Sequence, residues 1–98
     1  MTEVLAPAAV DAALEERSLG WRRDGSVLVK EVDCGDFAGA LAYVHRVGAV
    51  AETANHHPDV DIRWKNVVLR LSTHSAGGLT GRDLALAAQI DALDAEGA

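Results

Sequence analysis

Three of the four histidines in the chain lie in one stretch, His56, His57 and His74, and an aspartate, Asp83, follows them. Imidazole is the side chain that most readily gives or takes a proton near neutral pH, and a neighbouring carboxylate favours its protonated form. The residue types therefore predict general acid–base catalysis. Two alternatives stay open, namely structural histidines at strand ends and a zinc site made of histidines and a carboxylate. Adjacent histidines on a strand point to opposite faces, which disfavours the zinc site.

The segments between the histidines predict a β-hairpin. On both sides of Lys65-Asn66 the chain is rich in β-branched and aromatic residues at period 2, and Lys65-Asn66 itself suits a two-residue loop. That loop would pair Trp64 with Val67 on an apolar face and would place His57 opposite His74, roughly 5 Å apart at the backbone. A longer loop remains possible, and it would change the partner of His57.

The rest of the chain predicts three helices and a second hairpin. A first helix is expected from Pro7 to about Ser18, a hairpin around Asp24-Gly25, a helix from about Asp36 to Thr53, and a last helix that begins after Thr80. The order helix, two strands, helix, two strands, helix predicts a single α+β domain over residues 1–98. Its four-stranded antiparallel sheet would carry the helices on one face and leave the other face partly open.

The middle helix, from about Asp36 to Thr53, is apolar nearly all round. Its predicted core stripe consists of Phe37, Ala40, Leu41, Val44, Val47, Gly48 and Ala51. The remaining surface is also poor in charge, and such a helix is usually buried on more than one side. In a chain of 98 residues the second partner is most simply another copy, so the sequence predicts a homo-oligomer built partly on this helix.

Several residues next to the histidines have features that suggest a role in the site. Glu52 lies in the last turn of the middle helix, where a carboxylate opposes the helix dipole, so a role in orienting a histidine is one interpretation. Asn55 suits a left-handed helix exit. Asp83 lies in capping-box position relative to Thr80, yet it also faces the sheet, where it could hold the second nitrogen of a histidine. Residues 75–78 are expected to form a flexible connection that lets the chain double back.

Composition limits the class of protein. The net charge is −6 with no basic cluster, which argues against direct binding of nucleic acid or an anionic membrane surface. A single cysteine, Cys34, rules out an internal disulfide and fits a reducing cytosol. No apolar run approaches the roughly 20 residues needed to cross a bilayer, and no export signal is evident. A cytoplasmic protein is expected.

Three segments of the sequence resemble the pterin-4a-carbinolamine dehydratase family. They are Glu52-Thr53-Ala54-Asn55-His56-His57-Pro58, Leu71-Ser72-Thr73-His74 and Gly78-Leu79-Thr80-Gly81-Arg82-Asp83. The resemblance is specific in the middle third of the chain and extends more loosely over nearly all of it. It implies the same α+β fold and an assembly of two or four copies.

The resemblance also implies an activity, loss of water from a 4a-hydroxytetrahydropterin with no cofactor and no metal. The catalytic set would be His56, His57, His74 and Asp83. In our hypothesis His57 and His74 act at the C4a and N5 positions of the ring while His56 holds the ring or assists, and acid and base are not assigned. Residues expected to bind the pterin are Glu52, Asn55, Ser72, Thr73 and Ser75.

Two other functions are compatible with the same fold. Members of the family serve as dimerisation cofactors of homeodomain transcription factors in animals, so a non-catalytic oligomeric interaction module is one alternative. A pterin enzyme that serves another pathway, such as one beside the molybdenum cofactor, is the other.

Overall fold

A computed structural model describes residues 3–97 of the chain, with side chains described for residues 3–94, and it has the predicted order of elements. The elements are α1 (Pro7–Glu16), β1 (Arg22–Asp24), β2 (Val27–Asp33), α2 (Phe37–Ala54), β3 (Asp59–Arg63), β4 (Asn66–Leu71), a 3-10 turn (His74–Ala76) and α3 (Gly81–Gly97). The strands form one antiparallel sheet in the order β1-β2-β4-β3. The predicted fold class, α+β with a four-stranded antiparallel sheet, is confirmed.

The two faces of the sheet have opposite character. On one face, Leu28, Leu69 and Leu71 of the central strands are fully buried. They pack against apolar residues of the three helices, among them Val10, Val47, Ala87 and Ile90. Alternate strand positions on the other face carry Arg22, Glu31, Asp61 and Arg70. Helices therefore cover one face only, as predicted, and the charged face remains open.

The β3–β4 hairpin has a different register from the predicted one. Its two-residue loop is Trp64-Lys65 instead of Lys65-Asn66, so that Arg63 pairs with Asn66 and Ile62 pairs with Val67. The predicted pairing is therefore wrong by two residues. Trp64 therefore lies in the loop and not on the apolar face. Its backbone has a φ of 54°, and the residue is 68% exposed.

Contacts with β2 account for this register. A shift of two residues keeps every side chain on its own face, so hydrophobic patterning cannot distinguish the two pairings. In the observed one, Asp33 of β2 pairs with Asn66, and the Cys34 amide donates to the Lys65 carbonyl at 2.8 Å. Lys65 Nζ also lies 3.4 Å from Asp33 Oδ2. The end of β2 thus holds Lys65 in the loop.

The first hairpin also turns at a different place from the predicted one. Asp24 pairs with Val27, so the loop consists of Gly25-Ser26 and not of Asp24-Gly25. Gly25 has a φ of 61°, in the left-handed region that glycine tolerates best. The glycine therefore occupies the first loop position.

The buried stripe of α2 differs in part from the predicted one. Its buried residues are Ala40, Tyr43, Val47 and Ala51. Phe37 and Leu41, predicted for the core, are 51% and 48% exposed, whereas Tyr43 is buried. A helix that is apolar nearly all round has no unique core stripe in its sequence, and packing against β4 and α3 selects one. Within residues 3–97, neither α2 nor any other helix has the length and hydrophobicity to cross a bilayer.

A buried lysine links β2 to α3. The side chain of Lys30 is 7% exposed and contacts both Asp91 and Asp94. Asp91 also accepts hydrogen bonds from the Gly20 amide at 2.7 Å and from Trp21 Nε1 at 2.9 Å. Burial by itself lowers the pKa of Lys30, but hydrogen bonds to the two aspartates outweigh it and hold the pKa above its ordinary value. One carboxylate therefore ties α3 to both β2 and the start of β1.

We expect Asp91→Ala to lower the free energy of unfolding by about 2–3 kcal/mol, because it leaves the Trp21 and Lys30 donors without this acceptor. Asp91→Asn, which retains one acceptor oxygen, should cost less. Chemical denaturation at pH 7 measures both. Since the pKa of Lys30 is raised in the folded state, its contribution is present below the ordinary value of 10.5 and is lost as the pH rises past the folded-state value. Equal stability of wild type and Asp91→Ala would contradict this account.

Candidate active site

The β3–β4 hairpin brings the three histidines to one end of the sheet. His57 lies two residues before β3 and His74 three residues after β4, and antiparallel pairing places these ends side by side. If the pairing of β3 with β4 is continued beyond the strand ends, His57 lies opposite Ser72 and not opposite His74. The predicted face-to-face pair of His57 and His74 is therefore wrong, although both residues do lie at the same end of the sheet.

His56 forms a buried pair with Asp83. Its side chain is 9% exposed, that of Asp83 is fully buried, and Nε2 lies 2.5 Å from Oδ1. Asp83 is in the first turn of α3, with its side chain turned toward the sheet as predicted. The histidine that meets Asp83 is thus the one expected only to hold the ring or assist.

The second oxygen of Asp83 is held by two donors. Thr73 Oγ1 lies 2.7 Å from Oδ2, and the Thr80 amide donates to the same oxygen at 2.9 Å. The two threonine hydroxyls lie 2.8 Å apart. The contact from the Thr80 amide confirms the predicted capping-box geometry. The same carboxylate therefore both caps α3 and holds an imidazole.

His57 forms a second, exposed pair with Glu52. Its Nε2 lies 2.5 Å from Glu52 Oε2, and the two side chains are 55% and 77% exposed. Between them Asn55 ends α2 in the predicted left-handed conformation, with φ 51° and ψ 43°. The two adjacent histidines thus contact different carboxylates. Among residues 3–94 no three His, Cys, Asp or Glu side chains are grouped so that they could hold a metal ion.

The loop that carries the histidines is tied to α3 by Arg82, which the sequence reasoning did not assign to the site. Arg82 Nη2 donates to the Asn55 carbonyl at 2.7 Å. Arg82 directly precedes Asp83, so two consecutive residues of α3 hold the segment around His56. Only the tertiary contact identifies this role, because an exposed arginine in the first turn of a helix carries no signal of its own.

The segment after β4 forms a tight turn. Thr73 and Gly78 form an isolated β-bridge, and between them the 3-10 turn His74–Ala76 is followed by Gly77, whose φ is 80°. The predicted connection, residues 75–78, therefore belongs to this turn. It does double back, as expected, and delivers Thr73 to Asp83.

His74 is exposed and faces an open groove of about 320 Å³ on the charged side of the sheet. The groove is lined by Ser26, Val27, Asp59, Arg70, Leu71, Ser72, His74 and Gly77. Asp59 and Arg70 are cross-strand neighbours at its floor. They were not predicted as site residues, although strand alternation would have placed Arg70 on the open face.

The five residues predicted to bind substrate have different environments. Glu52, Asn55 and Ser75 are exposed, and Ser72 is half-buried in the wall of the groove. Thr73 is 2% exposed, and its hydroxyl already contacts Asp83 and the hydroxyl of Thr80. Four of the five are therefore accessible from this end of the sheet, and the side chain of Thr73 is not.

Two further cavities lie beside α2 and contain none of the histidines. One, of about 440 Å³, is lined partly by Cys34, Tyr43 and Arg46. Burial raises the pKa of Tyr43 above its ordinary range, and the Asp94 carboxylate adds to the shift. The other, of about 500 Å³, is an apolar groove between α2 and α3. Neither has the acid–base groups found at the end of the sheet.

Comparisons with known proteins identify, over most of the chain, the family that the sequence resembles. Residues 3–93 match the family model described as Pterin 4 alpha carbinolamine dehydratase. A protein of Nocardia farcinica is 50% identical over 94% of this chain and 96% of its own length. One of Roseiflexus castenholzii is 54% identical over 83% and 90%. Both are named "putative pterin-4-alpha-carbinolamine dehydratase".

Solved structures show the same fold. A Brucella melitensis protein described as a transcriptional coactivator/pterin dehydratase superimposes with a TM-score of 0.84 at 26% identity, over 93% of this chain and 98% of that one. A pterin dehydratase-like protein described as a RuBisCO assembly factor in the alpha-carboxysome gives a TM-score of 0.63 at 27% identity, over 76% and 88%.

Proposed function

Because the chain belongs to the pterin-4a-carbinolamine dehydratase family, we propose that it removes water from a 4a-hydroxytetrahydropterin by imidazole acid–base catalysis. The observation that carries the proposal is the pairing of two adjacent histidines with two different carboxylates at the end of the sheet where His74 also lies. Such pairs hold an imidazole in one orientation, in which its other ring nitrogen can give or take a proton.

The reaction needs one acid and one base. The C4a–O bond breaks and the hydroxyl leaves as water after it receives a proton. N5 loses its proton, and the electron pair of that N–H bond forms the N5=C4a double bond of a quinonoid dihydropterin. No electron acceptor is consumed. In our proposal His56, His57 and His74 supply the two proton transfers, and Asp83 and Glu52 orient two of the imidazoles.

The same geometry suggests where the pterin ring lies. Asn55 and Ser75 are exposed next to His56 and His74 in the sequence, and Ser72 lines the groove with His74; we propose that these three residues and Glu52 bind the ring. Thr73 would contribute through its main chain only, because its hydroxyl is occupied.

A stopped-flow assay of carbinolamine loss tests the activity. The 4a-hydroxytetrahydropterin is generated in the mixing chamber, and its conversion to the quinonoid product is followed by absorbance with and without the protein. We expect a rate that rises in proportion to protein concentration. A rate equal to the uncatalysed one at every concentration would exclude the proposed activity.

A second candidate function, an oligomeric interaction module, is favoured by the exposed apolar side of α2. Phe37 and Leu41 are about half exposed on this helix. The two structural neighbours described as a coactivator and as an assembly factor are consistent with such a role. Titration with a reduced pterin distinguishes the candidates, since saturable binding that perturbs the resonances of His57 and His74 supports the enzyme. Absence of binding, together with a partner captured through α2, supports the module.

We further propose that the chain forms a homo-oligomer through α2, and Leu41→Glu tests it. Size-exclusion chromatography with light scattering at micromolar concentration should show wild type as a dimer or tetramer. Leu41→Glu should shift the mass toward the monomer, because it places a charge in an apolar contact. Ala85→Glu, at an exposed position of α3, is the matched control and should leave the mass unchanged. A monomeric wild type would contradict the proposal.

A further inference from the structure

The hydrogen bonds around Asp83 have a single possible direction when Asp83 is a carboxylate. A carboxylate only accepts, so Thr73 Oγ1 must donate its one proton to Oδ2 across 2.7 Å. The 2.8 Å contact between the two hydroxyls then has Thr80 as its donor. Thr80 Oγ1 in turn accepts from the Arg82 amide at 3.2 Å. The donors therefore run in one line from Arg82 through Thr80 and Thr73 to Asp83.

This line of donors is closed to solvent. Thr73 is 2% exposed, and Thr80 and Asp83 are fully buried. Oδ2 accepts from both Thr73 and the Thr80 amide. These two donors therefore fix the plane of the carboxylate.

The fixed carboxylate determines the state of His56. Only Oδ1 faces the imidazole, at 2.5 Å from Nε2, and a carboxylate oxygen there requires a proton on Nε2. In the neutral ring Nδ1 is then the unprotonated nitrogen. A carboxylate that rotated could turn either oxygen toward the ring or withdraw both.

We propose that Thr73 is a positioning residue, which acts through Asp83 to hold His56 as the tautomer with the proton on Nε2 and so presents Nδ1 for proton transfer. The part that concerns catalysis rests on the proposed function, and the part that concerns the tautomer does not. Thr80 extends the same line of hydrogen bonds. The hydroxyl of Thr73 thus orients the histidine and does not bind the pterin.

The test compares Thr73→Val, which removes the hydroxyl at similar volume, with Thr73→Ser, which keeps it. Thr73→Val should lower kcat by roughly 10- to 100-fold, the range found when a group that orients a reactive residue is lost, and should leave KM within about threefold. Thr73→Ser should restore kcat to within about threefold of wild type. Thr53→Val is the matched control, because within residues 3–94 the Thr53 hydroxyl hydrogen-bonds only to the Ala49 carbonyl of its own helix. It should leave kcat unchanged.

The nitrogen-15 chemical shifts of the His56 ring report the tautomer directly and require no activity. We expect the Nε2–H form in wild type and Thr73→Ser, and a mixture of tautomers in Thr73→Val. A wild-type ring with its proton on Nδ1 would overturn the proposal even if Thr73→Val does not fold, and so would Thr73→Val with wild-type kcat and tautomer. If the tautomers behave as expected while the wild-type protein dehydrates no carbinolamine, the proposed function fails and the positioning role of Thr73 stands.

Discussion

Replacing His74 or His57 with alanine is expected to reduce kcat for carbinolamine dehydration by roughly 10²- to 10⁴-fold, the usual contribution of a positioned proton-transfer group. Both side chains are exposed, and His74 lines the open groove, so neither replacement removes a core contact. The loss should therefore appear in kcat, with stability to denaturant close to that of wild type. The stopped-flow assay measures the rate, and chemical denaturation checks the fold.

His45 provides the control for these two variants. It is the remaining histidine of the chain and lies exposed on α2, nine residues before the last residue of that helix. His45→Ala should retain wild-type kcat, which separates loss of a catalytic imidazole from loss of any surface histidine. Near-wild-type dehydration by both His57→Ala and His74→Ala would end the proposed mechanism.

The largest effect on stability is expected for Asp83→Ala. The replacement leaves three buried donors without their acceptor, namely His56 Nε2, the Thr73 hydroxyl and the Thr80 amide. Each buried donor left without an acceptor costs about 1–3 kcal/mol, so the three together should cost several kcal/mol. Small domains are stable by only about 5–15 kcal/mol, so the variant should fold marginally. Its Tm should fall by about 4–8 °C for each kcal/mol lost.

Asp61→Ala is the control for Asp83→Ala. Asp61 is a half-buried carboxylate on the open face, 3.3 Å from Arg63, and such surface pairs contribute about 0–1 kcal/mol. Thermal and chemical denaturation should therefore separate the two variants clearly. If Asp83→Ala unfolds as wild type does, the carboxylate does not hold the site together.

Local sequence rules were sufficient for the elements and for several contacts within them. Asn55 has the left-handed conformation expected of a helix exit, and Asp83 accepts from the Thr80 amide as the capping-box spacing predicts. These features depend on residues close in sequence, whose geometry the backbone of one helix end defines. The order of helices and strands, and with it the fold class, follows from the same short-range patterns.

The same local rules did not predict the contacts between residues far apart in the sequence. Two registers of the β3–β4 hairpin keep all side chains on their own faces, and the contact of Cys34 with Lys65 decides between them. Tyr43 replaces Phe37 and Leu41 in the core because packing selects one side of a nearly uniform apolar helix. In both cases more than one packing arrangement is consistent with the hydrophobic pattern of the sequence.

The amino-acid sequence by itself determined the order of elements, the family resemblance, and the return of the histidines and Asp83 to one end of a hairpin, since periodicity, caps and turns act over a few residues. Only the tertiary structure decided that Asp83 meets His56, that Glu52 meets His57, and that the Thr73 hydroxyl faces Asp83. These partners come from different elements, and their distances depend on how α2 and α3 pack on the sheet. A shift of two residues or a rotation of one helix changes such partners without altering the hydrophobic pattern that the sequence displays.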